Sequence, residues 1–153
     1  MDFRGKKVLV AGGTGLIGTP LVEMLVDRGA RVFVVSKDDP SRAHCNSSFF
    51  NLDLLDYENC LWACGNMDYV FNLLCVKGSP ATARARPATM FDANLLLDVN
   101  LLRAAREKGV GGYLLTSSLA VYPPAEIFSE DDARRALPSQ NDIFPGLAKL
   151  AGE

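Results

Sequence analysis

The chain has little of what metal chemistry or a disulfide framework requires. Its 153 residues include one histidine, His44, and four cysteines, Cys45, Cys60, Cys64 and Cys75, none of them in a C-x-x-C pair. Zinc sites are built from thiolates and imidazoles at short, paired spacing, so no metal is expected, and His44-Cys45 reads as loop chemistry. A Ser-His-Asp hydrolase would need His44 to reach Ser117 or Ser118, and no G-x-S-x-G elbow is present. An excess of positive charge is also missing: 16 lysines and arginines stand against 18 acidic residues, for a net charge of −2, and the basic residues are scattered. Nucleic acid is therefore not an expected partner. No apolar run approaches the roughly 20 residues that span a bilayer. Val8 to Ala11 follows basic residues, as a signal peptide would, but Gly12 and Gly13 end it too early. The reading is a cytoplasmic chain with reduced thiols and no membrane partner.

Against these absences stands an ordinary globular composition, 48% hydrophobic and 22% charged, with a length typical of one domain spanning residues 1–153. Val8 to Ala11 is a short apolar run of the kind buried on both faces. It is followed by glycines and then by Leu16, Ile17, Leu21, Val22, Leu25 and Val26 at helical spacing, up to Gly29. Arg31 to Val35 is a second strand, Phe49 to Leu52 a weaker third, Leu54 to Ala63 a short helix, and Asp68 to Leu74 a fourth strand. A loop from Lys77 to Pro87 precedes a long helix, Thr89 to Lys108, and Tyr113 to Ser117 is a fifth strand. The long helix carries one stripe of Phe91, Leu95, Val99 and Leu102 and another of Leu97, Leu101 and Ala105. One face covers the sheet, and the surplus offers a homodimer contact. Pro123 to Pro145 is polar and reads as an active-site loop, and a last helix begins near Gly146. Such alternation predicts an α/β fold: a Rossmann-like, doubly wound parallel sheet of order 3-2-1-4-5.

The segment A-G-G-T-G-L-I-G, Ala11 to Gly18, joins the first strand to the first helix, so backbone amides and the positive helix end converge where a pyrophosphate would sit. Gly12 is read as permitting the tight turn, Gly15 the close backbone approach and Gly18 the packing of helix on sheet. A dinucleotide is the ligand this implies. NAD-preferring domains carry an acidic residue at the end of the second strand; here Ser36 occupies that position, followed by Lys37, with Arg42 near. Neutral plus basic suits a 2′-phosphate and favours NADP over NAD. A small change of register would instead bring Asp38 or Asp39 to the site.

The order of V-A-G-G-T-G-L-I-G, L-D-L at Leu52 to Leu54, F-N-L-L at Phe71 to Leu74, N-L-L-L-D-V-N-L-L-R-A-A-R from Asn94, T-S-S-L-A-V-Y-P from Thr116 and A-K at Ala148-Lys149 resembles the extended short-chain dehydrogenase/reductases. These are NAD-dependent epimerases, dehydratases and reductases of nucleotide sugars. The resemblance covers nearly the whole chain, and V-K-G after the fourth strand and the segment from V-Y-P to A-K look most like the GDP-fucose synthase type. It implies that Asp53 binds the adenine amino group and that Leu73, Leu74 and Cys75 line the cofactor cleft. Leu16, Ile17, Leu54 and Thr116 complete the cofactor set. It further implies that Ser118, rather than Ser117, hydrogen-bonds the reacting oxygen of a nucleotide-sugar-like substrate, and that Lys149 binds the nicotinamide ribose.

One position departs from the family. The acid/base tyrosine should lie four residues before the lysine, where this chain has Pro145, and no tyrosine follows Tyr122. Three explanations stand open: another group serves, such as Tyr122, Glu126 or the substrate itself; the lysine register differs; or dinucleotide is bound without the usual chemistry. Family members also continue well past this length with further strands and a substrate domain, so the chain reads as a truncated piece. Two functions follow, the cofactor domain of a hydride-transferring enzyme and a non-catalytic NAD(P)-binding or sensing module.

Overall fold

The computed structural model describes residues 2–76, 78–79, 81, 85–132, 137–138 and 143–153. Met1, Lys77, residues 80 and 82–84, and residues 133–136 and 139–142 of the polar segment lie outside the described residues. The elements are β1 (Lys7–Ala11), α1 (Gly18–Asp27), β2 (Arg31–Val35), β3 (Ser48–Phe50), α2 (Tyr57–Cys64), β4 (Tyr69–Asn72), α3 (Pro87–Glu107), β5 (Gly112–Leu115) and α4 (Ile143–Gly152). The five strands are all parallel, in the order β3-β2-β1-β4-β5, which is the predicted topology. The chain divides into two compact units, one of Met1–Leu74 with Asn100–Thr116, the other of Cys75–Val99 with Ser117–Glu153.

The first unit holds the sheet. Residues alternate across a strand, so Val8, Val10, Val32 and Val34 point to one face, where Val22 and Leu25 of α1 complete a buried cluster. On β2 and β3, Phe33 stacks on Phe50, and Phe50 meets Trp62 of α2 edge-on. Helix α1 ends in a glycine in the left-handed region, Gly29 at φ +77°. The Ala30 amide donates to the Leu25 carbonyl and the Gly29 amide to that of Val26, which satisfies the last carbonyls. The C-terminal part of α3 is tied to α2 and to the turn before it within this unit: Asn100 donates to the Leu55 carbonyl, Tyr57 to Glu107, and the Arg103 guanidinium lies 4.6 Å from the Tyr57 ring centroid.

Three sequence expectations are corrected, and one left open, the buried stripe of α3, is decided. Leu16 and Ile17 are not part of the α1 stripe; they precede the helix at 91% and 62% exposure, because α1 begins only where the turn has closed at Gly18. Of the two stripes on α3, the one through Leu97, Leu101 and Ala105 is buried, whereas Val99 and Leu102 are exposed. Strand β5 ends at Leu115, so Thr116 and Ser117 lie past it. The last helix starts at Ile143 and takes Pro145 into its first turn, where a missing amide costs nothing. Among the described residues no helix is long and apolar enough to cross a membrane.

The two faces of α3 predict opposite mutational costs. Leu101→Ala, at a fully buried position, is expected to lower unfolding free energy by about 2–5 kcal/mol. Arg106→Ala, exposed on the same helix and outside that apolar stripe, is expected to change it by less than about 0.5 kcal/mol. Urea denaturation of both variants checks the pair.

Candidate functional site

The glycine turn in the first unit is built with no room to spare. Gly12 stands at φ +83°, a conformation that side chains with a Cβ rarely adopt. A Cβ on Gly18 would lie 2.3 Å from the Gly12 carbonyl oxygen and 2.6 Å from the Gly13 Cα. The first residue of α1 therefore rests on the turn's own backbone. A Cβ on Gly13 would fall 2.8 Å from Val34 and 3.2 Å from Val22. Seating the turn on the sheet is thus the work of Gly13, which sequence spacing had not singled out; the signal was only that it is a glycine beside Gly12. The Gly15 amide donates to the Gly12 carbonyl at 3.1 Å. What results is a backbone concavity at a helix N-terminus, the geometry that receives a pyrophosphate, and Leu16 and Ile17 stand out beside it. Dinucleotide binding fits this cradle.

Polar residues brace the turn from β2. The Thr14 hydroxyl, buried, lies 2.7 Å from both Ser36 Oγ and Asp38 Oδ2. The Asp38 amide donates to Ser36 Oγ at 3.1 Å, and Arg42 approaches the Asp38 carboxylate at 3.4 Å. A carboxylate is thus present at the end of β2 after all, supplied two residues beyond Ser36. Lys37 is paired with Asp53 at 2.8 Å. The lysine's hydrogen bond, followed by that of the Leu55 amide, holds the Asp53 carboxyl below its ordinary range. Leu54 is buried, and its carbonyl accepts from Cys60. The Leu73 amide continues the sheet by donating to Ala11, and the Leu74 amide donates to Asn72 Oδ1. Thr116 gives both its amide and its hydroxyl to the Asn72 carbonyl.

In the second unit, Ser118 caps the short turn Leu119–Val121, its Oγ accepting from the Ala120 amide at 3.2 Å. A hydroxyl that accepts in this way retains its proton to donate. Ser118 is exposed and lines a cavity of about 470 Å³ with Leu119, Tyr122, Pro123 and Phe128; the Tyr122 and Phe128 rings are 5.5 Å apart. Ser117 donates instead to the Glu153 carboxylate. Helix α4 packs closely on the same turn, since a Cβ on Gly146 would lie 2.2 Å from the Ala120 carbonyl oxygen. Lys149 on that helix is buried, its Nζ 3.1 Å and 3.3 Å from the two carboxylate oxygens of Asp98 on α3. Sequence reading missed Asp98 as a partner; 51 residues separate the two. Cys75 is an exposed free thiol, as is Cys45. Burial pushes the Cys60 and Cys64 thiols up to about 12, which leaves them protonated and inert. His44 Nδ1 accepts from the Asn46 amide, and no group of described residues could hold a metal.

In a Lys37→Met variant the Asp53 carboxyl is expected to titrate higher, toward the ordinary 3.8 and still below it because the Leu55 amide remains. Carboxyl-detected NMR titration of both proteins checks this, and an unmoved Asp53 would show that the ion pair does not form in solution.

The model of the NAD dependent epimerase/dehydratase family matches residues 8–153. GDP-mannose 3,5-epimerase of Arabidopsis thaliana is 26% identical over 159 residues, an alignment that covers 96% of this chain and 41% of that protein. Among solved structures, the epimerase Mth375 of Methanothermobacter thermautotrophicus superposes with a TM-score of 0.82 at 26% identity, covering 97% of this chain and 47% of the other. UDP-glucose 4-epimerase of Thermus thermophilus, in complex with NAD, gives 0.79 at 29% identity, covering 95% and 48%. The chain spans 40–41% of the length of the GDP-mannose 3,5-epimerases it matches. A family match over nearly the whole chain, on a sheet of the expected order and a turn shaped for pyrophosphate, leads to one conclusion: this chain belongs to the NAD dependent epimerase/dehydratase family.

Proposed function

We propose that the chain is the NAD(P)-binding domain of a cytoplasmic enzyme that epimerises, dehydrates or reduces a nucleotide sugar by hydride transfer. The observation that carries this reading is the cradle of Gly12, Gly13 and Gly18 at the start of α1, together with the family match. The relatives reported above are named for GDP-mannose and UDP-glucose. The nicotinamide supplies the hydride acceptor and donor. Asp53, with its neighbour Leu54, is assigned to the adenine. Leu16 and Ile17 are assigned to cover the pyrophosphate, and Leu73, Leu74, Cys75 and Thr116 to line the site. Ser118, exposed beside its cavity, is assigned to hydrogen-bond the reacting oxygen, and Lys149 to meet the nicotinamide ribose.

NADP is the preferred form in this reading, because Lys37 and Arg42 flank Ser36. Its 2′-phosphate would draw Lys37 from Asp53 and Arg42 from Asp38, exchanging one anionic partner for another. A second reading, NAD, is favoured by Asp38, whose carboxylate is held at the turn by Thr14 and could accept from a ribose hydroxyl. For the chemistry, too, a second reading has a specific observation behind it: Pro145 occupies the tyrosine position and has no proton to give, so a non-catalytic dinucleotide-binding module is the alternative.

Calorimetric titration with NADP and NAD separates these readings. NADP is expected to bind more tightly, and Lys37→Ala is expected to remove that preference; tighter NAD binding that Asp38→Asn weakens would establish the second cofactor reading. With binding in hand, cofactor oxidation or reduction in the presence of nucleotide sugars, lost in Ser118→Ala, supports the enzyme; its absence across such substrates supports the module.

The exposed stripe of Leu96, Val99 and Leu102 on α3 is proposed as a homodimer contact. Light scattering is expected to report a dimer that Leu102→Glu returns to a monomer.

A further inference from the structure

Among the described residues the buried charged side chains are Asp98 and Lys149, at 2% and 3% exposure. Both carboxylate oxygens of Asp98 lie within 3.1–3.3 Å of the ammonium, so the two charges are centred on one another. A buried pair of this kind is a costly way to join two helices, since apolar residues of the same volume do so at least as well. Its presence therefore calls for a use of the charge itself. Two features of the second unit indicate which. Gly146 leaves no space between α4 and the Ala120 carbonyl, so the helix that carries Lys149 is fixed against the turn that carries Ser118. Pro145, in the first turn of the same helix, stands where the family resemblance expects a tyrosine and supplies no group that could pair with the lysine.

We propose that Asp98 is a positioning residue for Lys149: its carboxylate holds the ammonium in place and cancels its charge, so that the site tolerates the cationic, oxidised nicotinamide ring as well as the neutral, reduced one. The inference rests on the reading that Lys149 meets the nicotinamide end of a bound dinucleotide. Oxidised and reduced dinucleotides share their adenine, riboses and pyrophosphate. They differ by one positive charge on the ring, so the ratio of their affinities reads the electrostatic field at that ring. An ammonium without its carboxylate repels the oxidised ring and leaves the reduced ring nearly untouched.

The test is the affinity of NADP⁺ and NADPH for the full chain, measured at one pH by calorimetry, with NAD⁺ and NADH in parallel. Asp98→Asn is expected to weaken the oxidised form roughly tenfold more than the reduced form, the scale of one partly screened unit charge, and Asp98→Glu to restore the ratio. Lys149→Met, which removes the ammonium and keeps the carboxylate, is expected to shift the ratio in the opposite direction, and it carries the test if Asp98→Asn does not fold. Equal weakening of both forms in Asp98→Asn, or an unmoved ratio in Lys149→Met, would overturn the proposal and leave the pair a structural tie. Failure of the unaltered protein to bind either form would instead overturn the dinucleotide reading, and this inference with it.

Discussion

Helix α1 begins in direct contact with the backbone that precedes it, and the rest of the first unit is arranged around that contact. With 2.3 Å between a would-be Gly18 Cβ and the Gly12 oxygen, no side chain can be inserted without moving either the helix or the strand. The strand is immobile because Val8 and Val10 are buried in the cluster with Val32 and Val34. The turn cannot rise either, since Gly13 lies against Val34 and Val22. The positive end of the helix is thereby held over a concavity of backbone, and the apolar residues that follow, Leu16 and Ile17, are left outside the core. Two exposed aliphatic residues beside a helix end acquire a reason if a ligand covers them.

Much of this was legible in one dimension because it is written in local pattern. Continuous apolar runs mark β1 and β2, and the glycines punctuate the first strand and helix. The alternation of elements predicts a parallel sheet, whose order then follows from topology rules. What stayed hidden was what depends on residues distant in sequence. Periodicity places Leu16 and Ile17 on the α1 stripe; only the closed turn shows that the helix starts after them. Both stripes of α3 are equally leucine-rich, so the buried one could not be chosen without knowing that Asn100, Arg103 and Glu107 face α2 and the turn before it. Gly13 could not be told from Gly12 without the valines beneath it.

The charged residues illustrate the same limit and change the chemical picture. Lys37 reads as a free cation next to Ser36, and Lys149 as a cation awaiting a tyrosine. In the folded chain each has a carboxylate of its own, Asp53 and Asp98, and Arg42 has Asp38. The pairs are not equivalent. Lys37 and Asp53 are largely exposed, where solvent screens the attraction and exchange of partners is cheap; an incoming phosphate can compete there. Lys149 and Asp98 are buried, where separating the charges is expensive, so this pair persists through any ligand exchange. The first pair is therefore proposed to select the ligand, and the second to set a local field.

The turn from Gly12 to Gly18 is proposed to receive the pyrophosphate of a dinucleotide. Backbone amide NMR on titration with NADP tests it at the level of single residues. The largest shift changes are expected on the amides from Gly12 to Gly18, with Ser36 and Asp38 following, at ligand concentrations that saturate. Saturable shifts that leave those glycine amides unmoved, or no shifts at all, would contradict it.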